Sequence, residues 1–498
     1  MAHHKLSRRG FLGTAAGLSV GPYLALGQNN VTKPMKREMG RLNFEATTLG
    51  LGGQSSLQWT PADVDPVKII LKAFDLGLNY FDTSNAYGPS QSNYGKAFRE
   101  LHLAPGESGY DERKRRSFFL TSKTVLRFGK GGWNKPGLMN FTNGPRDSHT
   151  VDDVRRTLSQ VFGDGNGNYP AGAYLDMVLV HAVSTMEDVE AAYVGYGNPD
   201  PQAETIGAMA ALQDLRDGTN LTGLNPKEEK LIRHIGFSGH HSPAVMIEMI
   251  QRDEHNILEG MLVAINANDR QCFNMQYNAI PVAAAKNMGM IAMKTFADGA
   301  MYTKPANWST RPEHVVRTVG SAALPSRPLV QYSLSIPGID TLIIGTGQID
   351  SDPKSCQLTQ NLASAQIASG ALALADLRAI EKMAGAAKDG KTNYFQAAKQ
   401  ELTAPREASI EQEVRGGKRV VRLTWQTAYA GDEPIANYEI RRDGRKIGEL
   451  PYRPQTTKAP LLFEDFAAGK EARTYRIATV DTAGRTAVTG DLTIDAVG

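Results

Sequence analysis

Four side chains in the first half of the chain stand at or just beyond the ends of short apolar runs. Phe81-Asp82-Thr83-Ser84-Asn85-Ala86-Tyr87-Gly88 supplies an acid and a phenol, Leu120-Thr121-Ser122-Lys123 an ammonium, and Val178-Leu179-Val180-His181 an imidazole. These are types that give or take a proton, or fix a neighbour that does. A charge directly behind an apolar strand is costly to bury unless it is paired. Singly, each has a plainer use: Asp82 as a helix cap, Lys123 as a surface charge, His181 as a satisfied core histidine, Tyr87 as loop packing. Placed together at successive strand ends, they point to one site of proton transfer.

Such a site needs a repeated scaffold to assemble it. From about residue 46 to 370, short apolar runs bounded by Gly, Asn, Asp or Ser alternate with amphipathic helical patterns. Strands are expected at 47–52, 79–84, 118–124, 175–182, 234–239, 261–267, 290–295 and 341–346. Helices are expected at 67–74, 151–162, 206–215 and 243–250, the last behind Ser242 as N-cap. Eight repeats over roughly 300 residues have the rhythm of a closed (β/α)8 TIM barrel, an α/β fold whose catalytic groups sit at the carboxyl ends of its strands. A doubly wound open sheet is the alternative. Its Gly-x-Gly-x-x-Gly turn is missing, because Gly50-Leu51-Gly52-Gly53 is followed by Ser55 where a third glycine belongs.

A further helix at 373–387 and a polar tail extend the barrel region to 40–400, and 401–413 reads as a linker. Beyond it the period changes to two, in Arg419-Val420-Val421-Arg422-Leu423-Thr424-Trp425 and again in Thr474-Tyr475-Arg476-Ile477-Ala478-Thr479-Val480. With Asp-Gly and Ala-Gly turns between the strands, 414–498 is expected to be a small all-β sandwich.

Composition narrows the classes of function. At 498 residues, 41% hydrophobic and 21% charged, the chain is long enough for more than one globular domain. A net charge of +3 is too small to imply nucleic acid. Cys272 and Cys356, the two cysteines, exclude a disulfide framework and cysteine-rich metal clusters; they read as two separate thiols, and no metal site is expected. Residues 1–28 read as an export signal: Ser7-Arg8-Arg9-Gly10-Phe11-Leu12, a short Gly/Ala-rich apolar stretch, then small residues. The hexamer is similar to a twin-arginine signal, which implies a periplasmic protein with no membrane span in its mature form.

The four residues named first, in that order and at those strand ends, match the Asp-Tyr-Lys-His tetrad of aldo-keto reductases. The resemblance covers about residues 44–370. It implies an oxidoreductase that moves hydride between a nicotinamide cofactor and a small carbonyl compound, including a sugar-derived one, or the matching alcohol. Tyr87 is then the proton donor to the carbonyl oxygen and the base in reverse. Its ordinary value near ~10 is unsuited to neutral pH, and a neighbouring Lys123 held by Asp82 is expected to lower it. His181 is expected to donate to the carbonyl oxygen and orient the substrate.

The same resemblance implies a cofactor site. Gly345-Thr346-Gly347 closes the eighth strand ahead of a helix, where these barrels bind phosphate. Gln360-Asn361 stands for a Glu-Asn pair at the adenine end, Ser238 for a serine at the nicotinamide amide, and Asn266 for a sixth-strand glutamine. Gln357 replaces an arginine that binds the 2′-phosphate, with Lys354 the nearest base. NADP(H) is expected ahead of NAD(H), retained tightly because the barrel folds around it before export. Lys294 stands near where the family places an aromatic. The loops at 127–147, with Trp133, and at 195–202 are candidate walls of the substrate mouth. Residues 414–498 resemble a fibronectin type III domain, Trp425 and Tyr475 falling on its core positions. Such a domain would serve as a spacer or contact a protein or polysaccharide. Two other classes remain: a non-catalytic barrel acting as a binding or regulatory subunit, and a carbohydrate-associated binding protein working through the sandwich.

Overall fold

The eight apolar runs pair in chain order into a closed parallel barrel, in a computed structural model that describes residues 33–302, 304–389 and 397–497. Its strands are β1 (Leu49–Leu51), β2 (Tyr80–Asp82), β3 (Phe119–Thr124) and β4 (Leu175–Val180), then β5 (Ile232–Gly239), β6 (Leu258–Ala264), β7 (Gly289–Met293) and β8 (Thr341–Ile344). β8 returns to β1 through Leu342↔Leu49, Ile343↔Gly50 and Ile344↔Leu51, so the sheet has no free edge. Residues 1–28, read above as an export signal, lie outside the described residues. Among the described residues, no helix is long and apolar enough to cross a membrane.

Helices follow the strands: α1 (Pro66–Asp75), α2 (Ser90–Glu100), α3 (Thr150–Phe162), α4 (Ala208–Asp217), α5 (Pro243–Gln251), α6 (Ala279–Ala285), α7 (Ser326–Ser335) and α8 (Gln357–Ser364). Their starts are written in the sequence. Asp65 accepts from the Val67 amide ahead of Pro66, and Ser242 does the same for Val245 ahead of Pro243. The helix expected from 206 instead begins at Ala208. Ile206–Gly207 pairs as a short strand with Phe128–Lys130, and extended Gly207 is the N-cap.

Two apolar layers result. Between strands and helices lies the main core, with Leu51, Phe81, Leu120, Val178 and Ile235 among its fully enclosed members. Inside the barrel Tyr80, Phe119, Met177, Leu179, Leu262 and Ile291 meet Met39, Leu42 and Ala46, the last three from a hairpin (Lys36–Glu38, Glu45–Thr47) ahead of β1. Gly289 opens β7 because a side chain there would lie 2.4 Å from Leu42 Cδ1.

After α9 (Leu374–Ala387) the chain forms eight antiparallel strands: β9 (Arg406–Arg415), β10 (Lys418–Gln426), β11 (Ile435–Arg442), β12 (Arg445–Pro451), β13 (Leu461–Asp465), β14 (Arg473–Asp481), β15 (Thr486–Val488) and β16 (Leu492–Ile494). One sheet runs β9-β10-β13, the other β12-β11-β14-β15, with β16 also on β14. Trp425, Tyr438, Tyr475 and Ile477 fill the core between them. The stretch 401–413, read above as linker, therefore differs: from Arg406 it is an edge strand paired to β10. Its polar composition reflects exposure on most of its length, as edge strands require.

The sandwich is docked on the barrel through buried polar contacts. Asn274, beyond β6, donates to the carbonyls of Ala430 at 2.8 Å and Gly431 at 2.6 Å. Asn278 accepts from the Ala430 amide at 2.8 Å and donates back to its carbonyl at 3.2 Å. Gln251 at the end of α5 donates to Gln455 O at 2.7 Å, and Arg378 of α9 to Asp432 O at 2.7 Å. Cys272 and Cys356 are both free. Replacing Asn278 by Ala leaves the buried Ala430 N–H without its acceptor. The expected cost is about 1–3 kcal/mol, read as a lower denaturant midpoint; an unchanged midpoint would show that the docking contacts are solvated in solution.

Candidate active site

β2, β3 and β4 bring Asp82, Lys123 and His181 to one end of the barrel, and the loop between β2 and α2 carries Tyr87 over them. Asp82 and Lys123 are 1% exposed, Tyr87 and His181 8%. Lys123 Nζ donates to Asp82 Oδ1 at 2.5 Å and to Thr83 O at 2.9 Å. The same ammonium lies 4.6 Å from the centre of the Tyr87 ring. Tyr87 Oη is 3.4 Å from His181 Nε2, and the other ring nitrogen is 3.4 Å from Ser84 Oγ. The four residues singled out in the sequence thus form one cluster. The loop can approach β1 because Gly53 has no side chain: a Cβ there would sit 2.4 Å from Asp82 O.

Burial governs the protonation of the cluster. It raises the Asp82 carboxyl, which Lys123 pulls back down, and lowers the Lys123 ammonium, which Asp82 restores. Burial also takes His181 well below the usual histidine value, reinforced by Lys123 and His240. Tyr87 differs from the sequence expectation. Its phenol is pushed well above its ordinary value by burial first, then by Asp82 and Asp298. The Lys123 ammonium, ion-paired to Asp82, does not offset that rise. The site therefore presents a neutral phenol beside a neutral imidazole.

From Tyr87 and Asp82 a cleft runs between the ends of β1, β7 and β8, past Gly52, Gln54, Lys294, Gly345 and Asn361. Lys294, half-buried at the end of β7, donates to Gln54 Oε1 at 2.8 Å and lies 4.5 Å from the centre of the Trp308 ring. The Gly53 amide lowers Asp82 from close by, yet Asp82 Oδ2 has no donor in hydrogen-bonding geometry. Thr346 Oγ1 is likewise buried without a partner among the described residues. A cleft of mostly apolar lining, with an unmatched carboxylate oxygen at one end, has both apolar walls for flat rings and an acceptor for a hydroxyl, which fits a dinucleotide.

The expected cofactor residues divide. Gly345 and Asn361 line the cleft; Ser238, Asn266, Thr346, Gly347 and Gln360 do not. Ser238 Oγ accepts from the Ala182 amide at 2.8 Å, fixing the chain beyond β4. Asn266 closes a local turn, accepting from the amides of Asn268 and Asp269 and donating to Asp269. The Gly347 amide donates to Gln357 Oε1 at 2.7 Å, while Gln357 Nε2 holds the carbonyls of Val316 and Thr318. That segment covers the turn and is pinned by Arg317 to Asp63 through two bonds, of 2.8 and 2.6 Å. Gln360 donates to Pro353 O on the surface, and Lys354 is exposed. Trp133, expected at the mouth, donates to Ser148 O in a separate small hollow. Gln54 and Trp308 were not anticipated. Gln54, just past the end of β1, was open to a strand-end argument; Trp308 lies in an irregular segment with no pattern.

Residues 48–318, more than half of the chain, match the aldo/keto reductase family. The chain belongs to that family. It is accordingly an oxidoreductase, built on the TIM-like barrel described above. A Schizosaccharomyces pombe protein described as a voltage-gated potassium channel subunit beta is 30% identical over 148 residues, 29% of this chain and 36% of that one. The match thus spans about a third of that relative's length. An aldo-keto reductase from Klebsiella pneumoniae, solved with NADPH, is similar at 16% identity over 70% of this chain and 95% of its own, with a TM-score of 0.42. One from Bombyx mori, solved with NADP, is similar at 13% identity over 71% and 93%, with a TM-score of 0.43.

For this aldo/keto reductase, neutral His181 has a direct readout. Its imidazole signals in nitrogen-15 NMR should stay neutral from about pH 8 down to about pH 6, where an unperturbed histidine is already titrating. A midpoint near the ordinary value would mean that the ring is solvated.

Proposed function

We propose that this aldo/keto reductase reduces a small aldehyde or ketone to its alcohol, with Tyr87 as the acid that protonates the carbonyl oxygen. The observation that carries this reading is the buried, neutral Tyr87 phenol beside neutral His181 at the inner end of the cleft. Raised in this way, the phenol keeps its proton at neutral pH and so holds the one that reduction consumes, while its acidity lies further from the working pH than that of a free tyrosine.

The cofactor is proposed as NADP(H), ahead of NAD(H), with Gly345, Asn361, Gln54 and Lys294 as the residues that would hold it. When bound, the nicotinamide supplies the hydride that reaches the carbonyl carbon. Tyr87 Oη gives its proton to the carbonyl oxygen, and His181 Nε2 in its N–H form donates to the same oxygen. The phenolate left behind forms beside the Lys123 ammonium, which Asp82 keeps in place. Tyr87 then regains its proton from solvent as the alcohol leaves. Gln357, standing where the family has an arginine, is engaged with backbone carbonyls. Discrimination by the 2′-phosphate therefore falls to other groups.

Two further parts of the reading rest on other observations. The Ser7-Arg8-Arg9-Gly10-Phe11-Leu12 hexamer supports twin-arginine export to the periplasm with the cofactor already in place. The facing sheets β9-β10-β13 and β12-β11-β14-β15, with Trp425 and Tyr475 in their core, support a fibronectin type III-like domain. Mass spectrometry of nucleotide released from exported protein, together with a carbonyl substrate panel, tests the assignment. Tyr87→Phe should lower turnover by about 10²–10⁴-fold with nucleotide affinity unchanged; a variant turning over at the wild-type rate removes Tyr87 from the chemistry.

A further inference from the structure

The loop that carries Tyr87 is held from outside the cleft by a second buried carboxylate. Asn85, two residues before Tyr87 and 1% exposed, donates to Asp153 Oδ1 at 2.7 Å and to Thr142 Oγ1 at 2.6 Å. Thr142 itself donates to Asp153 Oδ1 at 2.8 Å. On its other oxygen Asp153 accepts from Thr124 Oγ1 at 2.8 Å, and Thr124 is the neighbour of Lys123. The Arg156 guanidinium donates to Asn85 Oδ1, and the Asn85 amide donates to Lys123 O at 3.2 Å.

Asp153 lies in the first turn of α3, where an acidic residue usually serves its own helix. Here Asp152 does that work, accepting from the His149 amide at 2.9 Å. All three bonds to the Asp153 carboxylate come instead from other segments: the Tyr87 loop, the end of β3 and the loop at 142. A carboxylate only accepts, and three donors converge on it. Burial pushes its pKa up to about 6, against the pull of Thr124, Thr142, Arg156 and Asn85. A group this costly to bury is hard to account for as filler.

We propose that Asp153 is the positioning residue of the active site, gripping the Tyr87 loop through Asn85 and Thr142 so that the phenol meets His181. This rests on Tyr87 being the acid of the reaction. Neither Asp153, Asn85 nor Thr142 lines the cleft, so their effect belongs to the chemical step and not to nucleotide binding.

The test compares Asp153→Asn, and Thr142→Val at a half-buried loop position, with wild-type holoenzyme. Asp153→Asn keeps the size of the side chain but sets an NH2 group against hydroxyl and amide donors. Expected for it is a kcat lower by about 10- to 100-fold, the loss typical of an ångström-scale misplacement, with nucleotide dissociation constant unchanged. Thr142→Val should show a smaller fall of the same kind. Crystal structures of both should show Tyr87 Oη drawn away from His181 Nε2. A loop still in place in these structures, or a kcat equal to wild type, overturns the proposal. Should Asp153→Asn fail to fold, Thr142→Val decides by the same two readouts. The crystallographic result stands whatever the turnover. Loss of the Tyr87 assignment itself would show separately, as an active Tyr87→Phe enzyme.

Discussion

Two opposite charges buried 2.5 Å apart at the mouth of the barrel set the terms for everything around them. Removing Lys123 and Asp82 from water costs several kcal/mol per ion, recovered only if the pair is tight and its remaining valences are met. Adjacent strands make the pair tight, since β2 ends in Asp82 and β3 passes Lys123 beside it, with Thr83 O as a further acceptor, while Asp82 Oδ2 is left without a donor. The ammonium then lies against the Tyr87 ring, a favourable contact for a cation over an aromatic face. Because its charge is already balanced, the phenol oxygen experiences burial more than attraction. A neutral acid is the consequence, and it holds the proton that the proposed reduction uses.

The barrel was legible because each strand is a short apolar run closed by a small or polar residue, and because the chain repeats that pattern eight times. Asp82, Lys123 and His181 were legible for a related reason: a polar group at the end of an apolar run needs an explanation, and a barrel mouth supplies one. The binding residues were less so. A sequence states that Ser238 has a hydroxyl, not that the Ala182 amide claims it. Nor does it state that Asn266 closes its own turn. Gln54 and Lys294 meet across 240 positions, which no local pattern encodes. The edge strand β9 was hidden by its polarity and Ile206 by its helical neighbours, both cases of tertiary pairing overriding local propensity.

The cleft is shaped as much by irregular chain as by strands. Val316 and Thr318 present carbonyls to Gln357 across the Gly345–Gly347 turn, so that turn is a packed surface and not an open loop. Gly347 has no room for a side chain because Val316 O would lie 2.3 Å away. Of the residues expected to meet a phosphate, Thr346 and Gly347 therefore lie off the cleft, while Gly345 remains on it beside groups from β1, β7 and the segment around Val316.

The docked sandwich also fixes an order of events in the life of the chain. Asn274 and Asn278 have side chains that bond to Ala430 and Gly431, more than 150 residues further on. Until the last segments are synthesised and folded, the stretch beyond β6 must keep water on those groups. Contacts so distant in sequence are slow to form, because a long loop has to close first. The loop beyond β6 can reach its final contacts only once the carboxyl-terminal domain is in place.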